Sequence, residues 1–163
     1  MKKELKRIII AAVSRNGFIG NRNSIPWNSK EEQKSFRKIT LGHPVIMGRN
    51  TFSSLPKILD KRLNIVISRK PDLRNNKKPI ICFDSLHKAY QFLRLNNHKK
   101  VYICGGGRIY RNSIKHADEM IISHMKFNSR GDIRFPRINP KMWNIVKEKE
   151  FKDFVIRYYS RKV

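Results

Sequence analysis

Residues Ile8-Ile9-Ile10-Ala11-Ala12-Val13 form an unbroken apolar run of strand length, and nothing else in the 163-residue chain constrains its fold as tightly. A strand with one wet face alternates apolar and polar residues. A strand with no polar position must be covered on both faces, as the central strands of parallel sheets are by their crossover helices. Shorter apolar runs recur at Val45-Ile46-Met47, Ile65-Val66-Ile67, Ile80 to Phe83, Val101 to Cys104 and Met120-Ile121-Ile122.

The segments between these runs read as helices and loops. A long polar loop, Ser14 to Asn28, is punctuated by Asn16-Gly17, Gly20 and Pro26-Trp27; loops of that length in compact proteins are usually functional. Ser29-Lys30-Glu31-Glu32 reads as a helix start, and Pro44 limits how far that helix can run. A short helix is expected from about Asn50 to Leu55, and strands over Arg62 to Ser68 and Pro79 to Phe83. Asp84 reads as the cap of a helix through Arg94 with Leu86, Ala89, Tyr90 and Leu93 on one stripe. Val101 to Cys104 feeds a helix after the glycines. Met120 to Met125, Trp143 to Lys149 and Phe154 to Tyr159 complete the sheet, the last two as an antiparallel pair at one edge. The expected fold class is α/β: a single domain over residues 1–163, with a mostly parallel twisted sheet and helices on both faces.

Lys and Arg number 37 against 12 Asp and Glu, a formal charge of +25. The basic residues are spread over almost every segment, the densest pieces being Lys2 to Arg7, Asn75 to Lys78 and Asn96 to Lys100. That pattern reads as a solvated surface that attracts small anions and binds nucleic acid only non-specifically. The basic start is followed by too short an apolar stretch for a secretory leader, and no run approaches membrane-spanning length. Cys82 and Cys104 sit inside apolar runs and read as small buried hydrophobes, which fits a reducing cytoplasm. The five histidines lack metal-ligand spacing, so no metal is expected. No nucleophile elbow is present.

Two places repeat one arrangement of apolar strand, glycine, arginine and helix: Val45-Ile46-Met47-Gly48-Arg49-Asn50-Thr51 and Val101-Tyr102-Ile103-Cys104-Gly105-Gly106-Gly107-Arg108-Ile109-Tyr110. Free backbone N–H groups at a helix start, a glycine that lets a ligand approach and a guanidinium together suit phosphate. Neither turn matches G-x-G-x-x-G or the P-loop pattern. Placed on neighbouring strands, the two could grip one pyrophosphate. Glu32 has two readings. Ser29-x-x-Glu32 is a capping box, which spacing alone favours. Yet Glu32, Phe36 and Ile39 share the helix's apolar face, so the carboxylate points inward. With Trp27 just upstream, that face suits a flat heterocycle held by one acid.

Ile10-Ala11-Ala12, Gly20, Ile25-Pro26-Trp27-Asn28, Glu32, Phe36, Thr40, Pro44 to Arg49, Thr51-Phe52, Arg62, Asn64, Ser68, Gly105 to Tyr110 and Gly131-Asp132 resemble dihydrofolate reductases in order and spacing, across nearly the whole chain. The resemblance implies an eight-stranded sheet, NADPH as hydride donor and 7,8-dihydrofolate as substrate. It also implies a monomer and antifolate inhibitors as further ligands. It assigns catalysis to Glu32, with Trp27 and Ser123 behind it, Ser123 standing where threonine is usual. Substrate contacts fall to Ile10, Ala11, Ala12, Phe36, Leu55 and Leu59, and Arg62 pairs with the α-carboxylate of the glutamate tail. Ala12, Ile19 and Gly20 adjoin the nicotinamide. Gly48, Arg49, Asn50 and Thr51, with Cys104, Gly105, Gly106, Gly107, Arg108, Ile109 and Tyr110, hold the rest of the cofactor. Ser68 and Arg69 meet its 2′-phosphate. Ser14 to Asn28 is implied as a lid with Asp132 among its supports. Departures from the common bacterial pattern are Glu at the acid position, Gln33 for an apolar pocket residue, Cys104 for isoleucine, Phe52 for tryptophan, and Ile133 for a polar lid contact.

Overall fold

The computed structural model describes residues 4–20, 25–70 and 79–163. Residues 21–24 of the expected loop and residues 2–3 and 75–78 of the basic segments lie outside the described residues. In chain order the elements are β1 (Lys6–Val13), β2 (Phe18–Gly20), α1 (Lys30–Thr40), β3 (Val45–Gly48), α2 (Arg49–Ser54), β4 (Asn64–Ile67), β5 (Ile80–Phe83), α3 (Leu86–Leu95), β6 (Lys100–Ile103), α4 (Gly107–Ser113), β7 (Glu119–Met125), β8 (Ile133–Arg134), β9 (Trp143–Glu150) and β10 (Phe154–Arg161).

Eight strands form one sheet in the order β5-β4-β3-β6-β1-β7-β10-β9. The pairs from β5 through β7 are parallel, while β10 runs antiparallel to both β7 and β9. This is the expected mostly parallel sheet with an antiparallel C-terminal edge. The apolar run explains its centre. Ile9, Ala11 and Val13 face a layer containing Ala89, Tyr90 and Leu93 of α3 and Ile109 and Tyr110 of α4. Ile8, Ile10 and Ala12 face the opposite layer, with Phe36 and Ile39 of α1 and Phe52 of α2. Every residue of β1 beyond its basic start therefore meets a helix layer, and alternation of polar residues would have left one of those layers without a partner.

Three expectations change. The loop after β1 contains a short strand, β2, which pairs antiparallel with β8 in a separate ribbon. Phe135 N–H donates to Gly17 O (3.0 Å) and Asp132 N–H to Gly20 O (3.0 Å), and the Arg134 guanidinium stacks 4.2 Å from the Phe18 ring. Ser85, not Asp84, caps α3: its hydroxyl accepts from Lys88 N–H (3.2 Å), leaving Asp84 to pair with Lys88 at the surface. Strand β4 begins at Asn64, because Arg62 belongs to the turn before it.

Local chemistry sets the limits of α1. The Ser29 hydroxyl accepts from Glu32 N–H, acidic residues occupy the first turn and Arg37 and Lys38 the last, in line with the helix dipole. The chain turns away at Gly42, whose φ of +79° suits a residue without Cβ, and Gly42 N–H donates to Lys61 O (3.0 Å).

Leu93 is fully buried beneath α3. Leu93→Ala is expected to lower the unfolding free energy by about 2–5 kcal/mol, read from urea denaturation midpoints.

Candidate functional site

Strand pairing brings the two glycine-arginine turns together. Strands β3 and β6 are neighbours, and where they end Gly48 N–H donates to Gly105 O (2.7 Å). Gly105 has φ +103°, and a Cβ on it would stand 3.0 Å from the Tyr110 ring, so glycine is required there. The Gly105–Gly106 peptide is cis. A Cβ on Gly106 would lie 3.1 Å from Thr51 Oγ1, so the second turn lies close against the first. Behind the turns, Tyr110 Oη donates to Ile10 O (2.7 Å), tying α4 to the central strand.

A groove of about 1580 Å³ runs over these turns, larger than the roughly 300–1,000 Å³ usual for a compact small ligand. Ala12, Ile19, Gly20, Gly48 to Thr51, Ser68, Arg69 and Gly106 to Tyr110 all line it. Cys104 also lines it, while Gly105 contributes the turn beneath. Arg49 and Arg108 have no ion-pair partner among the described residues, which leaves both guanidiniums available to an anion. Burial pushes the Cys104 thiol up to about 12, so it is a protonated, compact wall residue. Ile133, Phe135 and Pro136, which follow from the ribbon, border the groove as well. No apolar period marked them in the sequence.

Glu32, Trp27, Phe36, Leu59 and Arg62 do not line that groove; they lie on the α1 side of the sheet, and Ala12, Leu55 and Cys104 are common to both regions. Register pairs Ala12 with Ser123 across β1 and β7, and the buried Ser123 hydroxyl stands near the Glu32 carboxylate, where it favours the charged form. Of the capping box, the arm from Glu32 N–H to Ser29 is made, at 3.3 Å, while the carboxylate lies near Ser123. Burial raises the Glu32 pKa above its ordinary 4.5, and the Ser123 hydrogen bond partly opposes the rise. Trp27 packs edge-on against Phe127 at 5.7 Å beside this acid's layer. Ile10, Ala12, Phe36, Leu55 and Leu59 gather in that layer. Ala11 does not: its side chain faces α3 and α4 on the other side of the sheet, because neighbours on a strand point to opposite faces. Gln33 is exposed and donates to Asn28 Oδ1 (3.2 Å), away from the apolar layer.

Arg62 is the second charged group on this side. Its side chain is 3% exposed, with Cζ 5.9 Å from the Phe36 ring centroid. Nε donates to Asp60 O (2.9 Å), Nη1 to Thr40 Oγ1 (3.0 Å) and Nη2 to Asp60 Oδ1 (3.4 Å). A guanidinium has five N–H groups, so one donor on each Nη is left for a bidentate carboxylate. Thr40 carries no titratable or charged group that would have marked it as part of the site. Among the described residues no group of three His, Cys, Asp or Glu side chains is placed to hold a metal, and no helix is long and apolar enough to cross a membrane.

The family description matching residues 7–161 is dihydrofolate reductase. A dihydrofolate reductase of Mycoplasma genitalium is 35% identical over 160 residues, covering 95% of this chain and 98% of its own. One from Buchnera aphidicola subsp. Schizaphis graminum is 37% identical over 152 residues, covering 91% of each. Among solved structures, Enterococcus faecalis dihydrofolate reductase complexed with NADP(H) and RAB-propyl is similar in fold, with a TM-score of 0.84 over 97% of both chains at 22% identity.

The raised pKa of Glu32 has a thermodynamic sign. The folded state binds a proton that the unfolded chain has already released, so ionising the group costs stability as pH rises from 4.5 through the raised value. Glu32→Gln removes that cost. Denaturant titrations should find variant and wild type close together at about pH 4 and the variant more stable at about pH 7; a variant less stable at the higher pH would contradict this.

Proposed function

The chain belongs to the dihydrofolate reductase family, and from that membership we propose that it catalyses NADPH-dependent reduction of 7,8-dihydrofolate to 5,6,7,8-tetrahydrofolate, the carrier used in one-carbon metabolism. The observation that carries this reading is a half-buried carboxylate, Glu32 with the Ser123 hydroxyl nearby, in the layer that adjoins a groove whose two arginines, Arg49 and Arg108, have no ion-pair partner among the described residues.

The residues of the groove fit the cofactor. Glycine turns that a Cβ would crowd, and the Arg49 and Arg108 guanidiniums, suit a pyrophosphate. Ser68 and Arg69 line the same groove and would meet a further phosphate on the adenosine ribose, which favours NADPH over NADH. Ala12, Ile19 and Gly20 line the groove, Ala12 being shared with Glu32's layer, and would adjoin the nicotinamide. When bound there, NADPH supplies the hydride that goes to C6 of the pterin.

On the other side, Glu32 is the acid that pairs with the pterin ring N3 and 2-amino group, a bidentate arrangement of one carboxylate with two donors. Its raised pKa brings proton exchange nearer to working pH and so supports protonation at N5. Ile10, Ala12, Phe36, Leu55 and Leu59 exclude water around the rings, and Trp27 and Ser123 fix the acid from behind. The two free donors of Arg62 take the α-carboxylate of the glutamate tail. Antifolates built on a similar flat, donor-bearing ring compete for the same acid.

Two experiments test this. In a spectrophotometric assay, wild type should turn over NADPH and dihydrofolate, and Glu32→Gln should lose about 10²–10⁴ in rate, most severely at neutral pH, where proton supply limits. An inactive wild type that still binds NADPH would end the folate assignment. Arg62→Leu should raise KM for dihydrofolate about tenfold or more, the scale of a lost charged hydrogen bond, while KM for NADPH changes little; equal changes would remove Arg62 from the tail site.

A further inference from the structure

Arg62 precedes β4 in a turn that no regular element supports, yet its guanidinium is almost fully enclosed. The support comes from Asn64, the first residue of β4, which is 1% exposed. Its side-chain amide makes three hydrogen bonds, all to the backbone of this turn. Nδ2 donates to Leu59 O (2.7 Å) and to Arg62 O (2.9 Å), and Oδ1 accepts from Leu59 N–H (3.1 Å). One side chain thus closes both ends of the Leu59–Arg62 segment, pairing with Leu59 as a neighbouring strand would. Between those ends Lys61 takes a left-handed φ of 55°, and its carbonyl accepts from Gly42 N–H. A buried uncharged amide can hold a carbonyl-rich turn without placing a second charge beside the guanidinium.

We infer that Asn64 is a positioning residue for substrate: by clamping Leu59 and Arg62 to β4 it fixes where the Arg62 guanidinium stands relative to Thr40 and Phe36 of α1, and hence where a tail carboxylate is met. The inference rests on the folate reading above. The backbone of Arg62 is referred to β4 through Asn64, and its guanidinium is referred to α1 through Thr40 Oγ1, itself anchored by donating to Phe36 O (2.8 Å). Without the first reference the side chain keeps its charge and loses its aim.

The test compares dihydrofolate with a dihydropterin that lacks the aminobenzoylglutamate tail. For Asn64→Ala, KM for dihydrofolate is expected to rise about tenfold, or about 1.4 kcal/mol. KM and kcat for the tail-less pterin, and KM for NADPH, should stay within about twofold. Combined with Arg62→Leu, Asn64→Ala should add nothing further to the dihydrofolate KM, because the group it positions is gone. A merely structural role moves both pterins alike, or adds fully to Arg62→Leu, and either result overturns the inference. Should Asn64→Ala not fold, Asn64→Ser, which keeps one hydroxyl in the clamp, is read against the same criteria. Failure of the folate reading shows separately, as a wild type that binds NADPH and turns over neither pterin, and failure of the tail site as an Arg62→Leu variant with unchanged KM for dihydrofolate.

Discussion

Hydrogen bonding of β1 to β6 on one side and β7 on the other, in one fixed register, is the constraint on which the rest of the molecule depends. The β7 side sets Ala12 beside Ser123, and so gives Glu32 its buried donor. The β6 side sets Ile9 beside Ile103 and brings the end of β6, with its three glycines, level with the end of β3. A slip of one residue in either ladder would turn every side chain of that strand to the opposite helix layer. Because both faces of β1 are apolar and covered, such a slip exposes nothing obviously wrong within β1 itself. Its neighbours hold the register: Ser123 would turn toward the α3 and α4 layer, and Tyr110 would lose its bond to the Ile10 carbonyl.

Within a chain of formal charge +25, Glu32 is set apart from the other acids by what it faces. Asp60, Asp84, Asp118, Glu119, Glu148 and Glu150 each pair with a Lys or Arg at or near the surface. Such pairs contribute little individually. Glu32 instead has a neutral hydroxyl near it in an apolar layer, and burial keeps its pKa high where an arginine would have lowered it. Arg62 shows the converse. Its neighbours Asp60, Thr40 and Phe36 leave it charged and enclosed with donors to spare.

The parts of the fold that were legible in the sequence are those carried by local pattern. An unbroken apolar run announced β1, and the repeated strand-glycine-arginine pattern announced the turns that meet across β3 and β6. The ribbon of β2 and β8 was not legible, since three residues and two residues more than a hundred positions apart have no period to detect. Asp84 and Ser85 are both good caps, and only the geometry of the chain entering α3 chooses between them. At Glu32 spacing alone favours the capping reading and the shared apolar face of α1 the pocket reading; the backbone half of the cap and a carboxylate near Ser123 coexist in the structure. Ala11 shows the cost of carrying a contiguous motif across a strand, where alternate residues serve different layers. Thr40 and Asn64 are part of the family resemblance but received no role from it or from their own chemistry: neutral side chains that act by satisfying backbone or guanidinium groups carry no signature until the groups they satisfy are in place.

Glu32 and Thr40 sit on one helix, eight residues apart. At 1.5 Å of rise per residue that is about 12 Å along a rigid axis. The acid at one end and the hydroxyl that steadies Arg62 at the other are therefore marks on a single ruler. A ligand held at both ends is selected for length before any contact along its middle is counted, and a change in the pitch or straightness of α1 would alter which lengths are admitted without touching either group.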